Sequence, residues 1–296
     1  MNTALHDPFG ARTTYRVGGD ARSLIEIESL DALCSLSGDL RSDVDTYVLG
    51  RGSNTLVADQ GFDGIVIHLG ESFREIAIDP ESARVVAGGA ADLPVVARKS
   101  VDAALTGFEW AVGVPGTIGG AVKMNAGGHG ADMASSLVSV EVLTFGSQTP
   151  RVMDCDELDF AYRSSALTNR DLVISATLQL SPGEKESSLG TLKEIVRWRR
   201  EHQPGGSNCG SVFTNPPGDS AGRLIEDAGA KGLRLGTAQV SEKHANFIQA
   251  DEGGSADDVV ALMDLVRSMV EAHSGVSLST EVKMVGFSPH EAGPAT

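Results

Sequence analysis

The chain has 296 residues, 41% of them hydrophobic and 22% charged, so its length favours two or three subdomains of ordinary globular composition. Its 24 basic and 40 acidic residues give a net charge of −16, which disfavours nucleic acid and anionic membranes as partners but allows a local basic pocket for an anionic small molecule. The three widely spaced cysteines predict neither a disulfide framework nor a zinc site; because residues 1–10 lack the features of a secretory signal and no segment is apolar enough for a bilayer, we expect a cytoplasmic protein.

The first two-thirds of the chain is rich in short apolar runs bounded by glycine, proline and aspartate, a pattern typical of β-strands. Between two of these runs, Asp92 and Pro94 predict the start of a short helix that buries Val95, Val96 and Val101. The strands are predicted at 47–49, 65–69, 84–87, 138–144 and 172–180.

The last third begins with a polar stretch at 181–188, which predicts a linker. Helical spacing predicts one helix that includes 189–196 and a second that begins at Ser255, where Asp258 completes the pattern of a capping box. Alternation of apolar and polar residues over 276–284 predicts a strand with Glu281 on its polar face. The apolar positions are Leu189, Leu192, Ile195 and Val196 in the first helix and Val259, Val260, Met263, Val266 and Val270 in the second.

Two glycine-rich segments are candidate ligand loops. The segment 50–54 follows a predicted strand, and such a turn exposes backbone N–H groups that can hold a pyrophosphate. It matches neither the Rossmann fingerprint nor the P-loop, and an ordinary β-turn is the alternative. The segment 113–127 is denser in glycine, which costs conformational entropy and favours a flat or charged ligand lying against bare backbone. Tight packing of backbone within the protein is the alternative there.

Three polar residues are candidates for chemistry. Ser211 follows a glycine and precedes an apolar pair, so its hydroxyl could pass a proton, although a serine in a turn is the alternative. Arg163 could clamp a carboxylate through two N–H groups, or it could be a solvated surface arginine. His244 belongs to no pattern typical of metal ligands, so we predict no metal site, and a hydrogen-bonded structural histidine remains the alternative.

Eight motifs, in register over nearly the whole chain, resemble the UDP-N-acetylenolpyruvoylglucosamine reductases, flavoproteins of peptidoglycan synthesis. The resemblance implies an α+β fold of the FAD-binding type shared with vanillyl-alcohol oxidase and p-cresol methylhydroxylase, with a C-terminal α/β substrate domain. Arg51 departs from the small residue that the family often has. The short stretch 162–180 resembles the family type that lacks an extra substrate loop. The motifs are 14–19, 50–54, 113–127, 162–165, 210–216, 221–229, 240–248 and the segment around Glu281.

The resemblance implies an FAD-binding region over 1–182, with two subdomains that meet near residue 80, and a substrate-binding domain over 183–296 whose tail after 287 we expect to be disordered. It implies non-covalent FAD, NADPH as the reductant and UDP-N-acetylglucosamine enolpyruvate as the small-molecule substrate; we expect a monomer. The implied catalytic residues are Arg163, Ser211 and Glu281, and the implied substrate contacts are Tyr162, Asn215, Lys231 and His244. The implied FAD contacts are Gly50, Arg51, Gly52, Ser53, Asn54, Gly113, Gly116, Thr117, Gly119, Gly120, Ala121, Asn125, Gly127 and Val173.

Two alternatives to this function remain open. One is another flavin oxidoreductase of the same fold that acts on a sugar or an alcohol. The other is a non-catalytic paralogue that binds a nucleotide sugar. The joint presence of arginine, serine and glutamate at the three implied catalytic positions favours an enzyme, since a pure binding protein need not keep all three.

Overall fold

The computed structural model of the protein describes residues 2–4, 8–41 and 43–288. The chain forms two compact units, and each is assembled from three separate segments of sequence. The predicted disordered tail lies almost entirely outside the described residues. The first unit comprises Met1–Ala4, Leu24–Gly50 and Gly64–Arg199, and the second comprises Leu5–Ser23, Arg51–Asp63 and Arg200–Thr296.

Helices and strands alternate irregularly along the described residues. The α-helices are α1 (Leu30–Asp39), α2 (Leu93–Asp102), α3 (Ile118–Lys123), α4 (Lys185–His202), α5 (Ala221–Asp227) and α6 (Ala256–Ser274). The β-strands are β1 (Asn2–Ala4), β2 (Ala21–Ile27), β3 (Thr46–Leu49), β4 (Thr55–Val57), β5 (Phe62–Leu69), β6 (Ile76–Asp79), β7 (Arg84–Gly88), β8 (Leu105–Thr106), β9 (Gly127–Gly128), β10 (Ala131–Asp132), β11 (Leu137–Thr144), β12 (Arg151–Asp154), β13 (Asp171–Gln179), β14 (Ser181–Pro182), β15 (Arg234–Leu235), β16 (Ala238–Val240), β17 (Ile248–Ala250) and β18 (Lys283–Val285).

An antiparallel sheet in the order β12-β11-β13-β7-β6 forms the centre of the first unit. Its middle strand, β13, pairs with β11 on one side and β7 on the other, and residues 171–174 of β13 are all buried. A second sheet has the order β1-β2-β5-β3 and contains the parallel pair β3 and β5. The five strands predicted from the sequence are therefore confirmed as β3, β5, β7, β11 and β13.

Helix α2 begins where the sequence predicts, but its buried face differs by one residue. Asp92 occupies the N-cap position without a side-chain capping bond, and Pro94 lies in the first turn. Val96 and Val101 are buried, as predicted, whereas Val95 is 41% exposed. Successive residues of a helix point about 100° apart, so Val95 faces away from the core that Val96 enters. The prediction that Val95 is buried was wrong.

The stretch 181–188 is not the linker that its polar composition predicts. Ser181–Pro182 forms β14 and pairs with β8, and α4 already begins at Lys185. Ser188 is buried, and its hydroxyl donates a hydrogen bond of 2.6 Å to the Glu109 carboxylate. Polar side chains here satisfy one another inside the first unit, so composition alone misled the prediction.

Helix α4 contains the predicted apolar positions, but only part of its stripe is covered. Leu192 and Ile195 are buried, and Leu189 packs partly against the same core. Val196 is 43% exposed, so its predicted membership of the apolar face was wrong in the same way as for Val95. Val196 follows the buried Ile195 directly, so it lies at the margin of the apolar face of the helix.

The second unit is organised around α6, which packs on the antiparallel sheet β15-β16-β17. The Ser255 hydroxyl accepts a hydrogen bond of 3.1 Å from the Asp258 amide, which confirms the predicted cap. The Asp258 carboxylate instead accepts from the amide and hydroxyl of Thr237, so the reciprocal half of the predicted capping box was wrong. The five apolar residues predicted for this helix are all buried, which confirms its stripe.

The predicted strand over 276–284 exists only at its end, as β18, which pairs in parallel with β4. Upstream of β18, one bridge joins Thr280 to Phe213. The Leu278 carbonyl accepts a hydrogen bond of 3.2 Å from Arg267 Nε on α6. A side chain therefore takes the place of the strand partner that this carbonyl would have in a sheet. Leu278 and Val282 are buried, which explains the apolar alternation without a continuous strand.

Candidate active site

The two candidate glycine loops meet in the first unit. A Cβ atom added to Gly50, directly after β3, would lie 2.7 Å from Thr117 Oγ1, closer than real Cβ contacts. Thr117 is the N-cap of α3, where its hydroxyl accepts a hydrogen bond of 3.3 Å from the Gly120 amide. The structure therefore brings together two predicted ligand segments that lie 67 residues apart (117 − 50) in the sequence.

The rest of the first loop, 51–54, belongs to the second unit. Gly52 is buried with φ +62°, and a Cβ there would lie 2.6 Å from Thr13 Cα. Its carbonyl accepts a 3.1 Å bond from the Thr14 amide. Arg51 is exposed and Ser53 half-buried.

Backbone donors in this first loop are available for an anion. Among the described residues, the amides of Gly50 and Gly52 donate to no acceptor. Gly52 is buried and Gly50 half-buried. A buried N–H without an acceptor is costly, and a phosphate oxygen is a suitable partner for the Gly52 amide. The turn therefore fits a bound pyrophosphate such as that of FAD.

Packing within the protein explains several glycines of the second loop. A Cβ on Gly113 would lie 2.8 Å from Ile195, and one on Gly127 would lie 2.7 Å from the Ala131 carbonyl. Gly116 has φ +153°, at the edge of the range that side chains disfavour. The alternative of tight backbone packing thus holds for Gly113 and Gly127 and leaves less of the loop for a ligand.

The first turn of α3 leaves space beside Gly120. The Ile118 and Gly119 amides donate to the carbonyls of Ala91 and Gly89, so the protein itself satisfies these donors. A Cβ on Gly120 would meet only Thr117 Oγ1, at 3.6 Å. Ala121 of α3 and Val173 of β13, which borders Gly119, are buried.

Asn125 serves the protein structure through its side chain. Its amide nitrogen donates to Asp132 Oδ2 at 3.2 Å and to the Ala161 carbonyl at 3.0 Å, and its oxygen accepts from the Ala134 amide at 3.0 Å. The residue is 4% exposed. Any FAD contact at this position would therefore come from the backbone.

Arg163 lies beside the end of the second loop in the first unit. Its Nη2 donates a hydrogen bond of 3.1 Å to the Gly127 carbonyl, and its guanidinium lies 4.9 Å from the centroid of the Tyr162 ring. Its backbone has φ +58°, which is uncommon for a residue other than glycine. Strained backbone held by its surroundings often occurs at functional sites, so the geometry is consistent with the predicted role.

Ser211 and Glu281 lie on adjacent segments of the second unit. The Glu281 amide donates to the Val212 carbonyl at 2.8 Å, and the Thr214 amide donates to the Ser279 carbonyl at 2.9 Å, so the segments run antiparallel. In the described part of the chain, no acceptor or donor engages the Ser211 hydroxyl, which is half-buried. A serine in this state can donate a proton to a ligand.

Asn54, predicted in the cofactor loop, is joined to Glu281. Asn54 Nδ2 donates a hydrogen bond of 3.1 Å to the Glu281 carbonyl, and the Asn54 carbonyl accepts from the Lys283 amide at 2.9 Å. One network of the second unit therefore contains residues from two separately predicted motifs. The side chain of Asn54 is engaged by the protein, so its predicted FAD contact is left to its backbone or its side-chain oxygen.

Tyr15 and Cys209 form a buried pair that the sequence did not reveal. Cys209 and Tyr15 are both buried in the core of the second unit, and the Tyr15 hydroxyl has no well-formed hydrogen bond to any described residue. Burial, chiefly, raises the pKa of the Cys209 thiol and the pKa of Tyr15, so both side chains are neutral. Tyr15 and Cys209 lie far apart in the sequence, so no local pattern predicted that they would pair.

The predicted substrate residues of the second unit gather around α5. Asn215 Oδ1 accepts from the Ala221 amide at 3.0 Å, and Lys231 pairs with Glu226 at 2.8 Å. His244 Nδ1 accepts from the Asn246 amide at 3.2 Å, and burial, chiefly, lowers the pKa of this histidine. Because Nδ1 accepts, the proton of a neutral His244 lies on Nε2, which could donate a hydrogen bond to a ligand. Tyr162, the remaining predicted contact, is 57% exposed on the first unit.

The described residues meet neither the requirements of a metal site nor those of a membrane-spanning helix. No group of three or more histidine, cysteine, aspartate or glutamate side chains there is arranged to hold a metal ion. None of the helices in the same ranges is long and apolar enough to cross a membrane.

Comparison with known proteins identifies the fold and then the family. An FAD binding domain matches residues 24–149, and the C-terminal domain of UDP-N-acetylenolpyruvoylglucosamine reductase matches 202–285. The crystal structure of UDP-N-acetylenolpyruvylglucosamine reductase (MurB) from Thermus caldophilus superposes with a TM-score of 0.84 at 35% identity, over 96% of this chain and 99% of that one. Fold and site thus define a flavoprotein, which confirms the predicted α+β FAD-binding fold.

Similar proteins show which family of flavoproteins this chain belongs to. UDP-N-acetylenolpyruvoylglucosamine reductase 2 of Symbiobacterium thermophilum is 42% identical over 96% of this chain and 92% of its own length. The reductase of Bacillus subtilis is 38% identical over 95% of this chain and 93% of its own. The chain belongs to the UDP-N-acetylenolpyruvoylglucosamine reductase family, as the sequence motifs predicted.

Proposed function

We propose that this protein is an FAD-dependent enzyme that uses NADPH to reduce UDP-N-acetylglucosamine enolpyruvate to UDP-N-acetylmuramate, a precursor of peptidoglycan. The observation that carries the proposal is the pairing of the Ser211 segment with the Glu281 segment, in a chain aligned over 96% of its length with a UDP-N-acetylenolpyruvoylglucosamine reductase. Bound FAD would supply the carrier that accepts hydride from NADPH and passes it to the vinyl carbon of the substrate.

The residues of this chain have separate roles in the proposal. The amides of Gly50 and Gly52 would bind the pyrophosphate, and the turn around Thr117 would lie against the cofactor. Arg163 would stabilise charge that develops on the substrate carboxylate, assisted by Glu281 through a hydrogen bond. Ser211 would donate the proton to the carbon next to the carboxylate, completing the reduction.

The wider setting is proposed on the same basis. We expect residues 1–182 to contribute most FAD contacts and residues 183–296 to contribute most substrate contacts, with α4 packed in the first unit. A cytoplasmic monomer is expected, since the substrate is a soluble nucleotide sugar and the acidic chain has little affinity for anionic surfaces.

The test is an assay of the purified protein for bound FAD and for NADPH oxidation. We expect FAD to be released by mild denaturation and NADPH to be consumed beyond one equivalent per FAD only with the enolpyruvyl sugar, while UDP-N-acetylglucosamine itself, as the matched control, has no effect. Consumption that instead follows an added alcohol or sugar with oxygen would favour an oxidase of the same fold. Binding of the nucleotide sugar without NADPH consumption would favour the non-catalytic paralogue.

A further inference from the structure

The backbone next to Ser211 is held by the side chain of a buried asparagine. Asn246 is 3% exposed and lies in the segment between β16 and β17. Its Nδ2 donates a hydrogen bond of 2.8 Å to the Phe213 carbonyl, and its Oδ1 accepts one of 3.0 Å from the Phe213 amide. One side-chain amide therefore binds both polar groups of a single residue, as a neighbouring strand would.

The backbone of Asn246 continues the same network. Its carbonyl accepts a hydrogen bond of 2.9 Å from the Val212 amide, and the Val212 carbonyl accepts one of 2.8 Å from the Glu281 amide. The segment that begins at Ser211 is therefore fixed between Asn246 on one side and Glu281 on the other. Displacement of Asn246 would move both Ser211 and Glu281, because Val212, the residue after Ser211, bonds to Asn246 and to Glu281.

The position of Asn246 is itself well defined. Its amide donates to His244 Nδ1 at 3.2 Å, and the turn is closed by the bond of 2.8 Å from the Ser241 amide to the Phe247 carbonyl. Its neighbours Ala245 and Phe247 are buried. Burial removes competition from water, so the bonds of Asn246 define one arrangement of the Ser211 segment.

We propose that Asn246 is a positioning residue that sets the Ser211 hydroxyl and Glu281 in the geometry for proton delivery to the substrate; this rests on the proposed function. Asparagine suits the task because it offers one donor and one acceptor at equal reach. Aspartate has nearly the same shape but, when ionised, cannot donate to the Phe213 carbonyl. Leucine has a similar volume and offers neither group.

The experiment compares N246D and N246L with the wild type and with V266A, a control that opens a cavity in the same apolar core, at a buried residue of α6 that makes none of the hydrogen bonds of Asn246. Each FAD-loaded protein is first reduced with NADPH and then mixed with UDP-N-acetylglucosamine enolpyruvate, and both rates are followed by flavin absorbance. Hydrogen exchange is measured in peptides that cover 208–216, 276–283 and 256–274.

We expect both Asn246 variants to keep the rate of reduction by NADPH while the rate of reoxidation by the substrate falls about 10²-fold, the usual cost of a displacement of about 1 Å. Exchange should accelerate in 208–216 and 276–283 but not in 256–274. In V266A, exchange should instead accelerate in 256–274, with both half-reactions unchanged.

Equal slowing of both half-reactions in the Asn246 variants, or no slowing, would overturn the inference. If N246L does not fold, N246D decides the result by the same two readouts. A wild-type protein that is reduced by NADPH but not reoxidised by the enolpyruvyl sugar would instead refute the proposed function. Normal turnover by the wild type, together with Asn246 variants that change both half-reactions equally or change neither, would refute the role of Asn246 and leave the proposed function intact.

Discussion

Replacement of Asp59 by alanine should destabilise α6, the helix at the centre of the second unit. The Asp59 carboxylate accepts hydrogen bonds from the Ser255 hydroxyl at 2.6 Å, the Ala256 amide at 2.9 Å and the Asp257 amide at 3.2 Å. These groups form the first turn of the helix, where backbone donors lack partners inside the helix. A residue distant in sequence thus acts as a second cap beside Ser255.

The magnitude follows from the two interactions that alanine removes. Loss of a side-chain cap costs about 1 kcal/mol, and loss of a negative charge at a helix N-terminus costs about 0.3–1 kcal/mol. We therefore expect the free energy of opening α6 to fall by about 1.3–2 kcal/mol in D59A. D59N keeps one acceptor oxygen but not the charge, so its loss should be about half as large.

Hydrogen exchange in peptides from 256–274 measures this effect directly. Amides of α6 should exchange roughly 10- to 30-fold faster in D59A than in the wild type, since each 1.4 kcal/mol corresponds to a factor of ten. Peptides from α2, in the first unit, serve as the internal control and should not change. Equal exchange in D59A and the wild type, or an equal acceleration in α2, would refute the capping role.

Three further predictions concern the site and its support. S211A should keep reduction by NADPH and lose about 10²–10⁴ in the rate of the reaction with the enolpyruvyl sugar, measured by stopped flow; equal slowing of both steps would contradict the assignment. G52A should weaken FAD binding at least about tenfold in a fluorescence titration. The added Cβ would collide with the Thr13 backbone, and a φ of +62° costs about 1–2 kcal/mol for a residue with a side chain. Unchanged affinity would contradict the assignment of this loop to FAD binding. Burial alone would raise the pKa of Asp171, but hydrogen bonds from Thr144 and Thr168 outweigh it and hold that pKa below its ordinary value of 3.8. The stability that Asp171 contributes is therefore present above pH 3.8 and lost as pH falls through the lower folded pKa, so urea unfolding should show D171N less stable than the wild type at pH 7 and the gap closing in acid; a gap independent of pH would contradict this.

Local signals in the sequence were sufficient for most elements. Strands such as β11 and β13 are apolar runs between turn residues, and the Ser255 cap needs only its own first turn. The errors at Val95 and Val196 arise because a helix face has a margin of one residue that spacing alone does not resolve. The error at 181–188 arises because Ser188 is buried and bonds to Glu109, and composition does not record such a contact.

The arrangement of the site depends on contacts between distant residues, and these could not be predicted. Gly50 follows β3 and Thr117 caps α3, so their contact depends on how these elements pack, and the Asn54–Glu281 bond joins positions 227 residues apart. Asn246 did carry a weak signal, since it is a polar residue between apolar Ala245 and Phe247. Nothing in the sequence indicated that its amide would bind Phe213, because that choice depends on the packed geometry.

We propose that this chain adds hydride from NADPH and a proton from the Ser211 hydroxyl across the enolpyruvyl double bond. The most direct measurement is mass spectrometry of the UDP-sugar product after turnover with NADPH deuterated at its transferable position. When the solvent is also D₂O, we expect UDP-N-acetylmuramate that carries two deuterium atoms, one on each carbon of the former double bond. Recovery of unchanged, unlabelled enolpyruvyl sugar while NADPH is oxidised would contradict it.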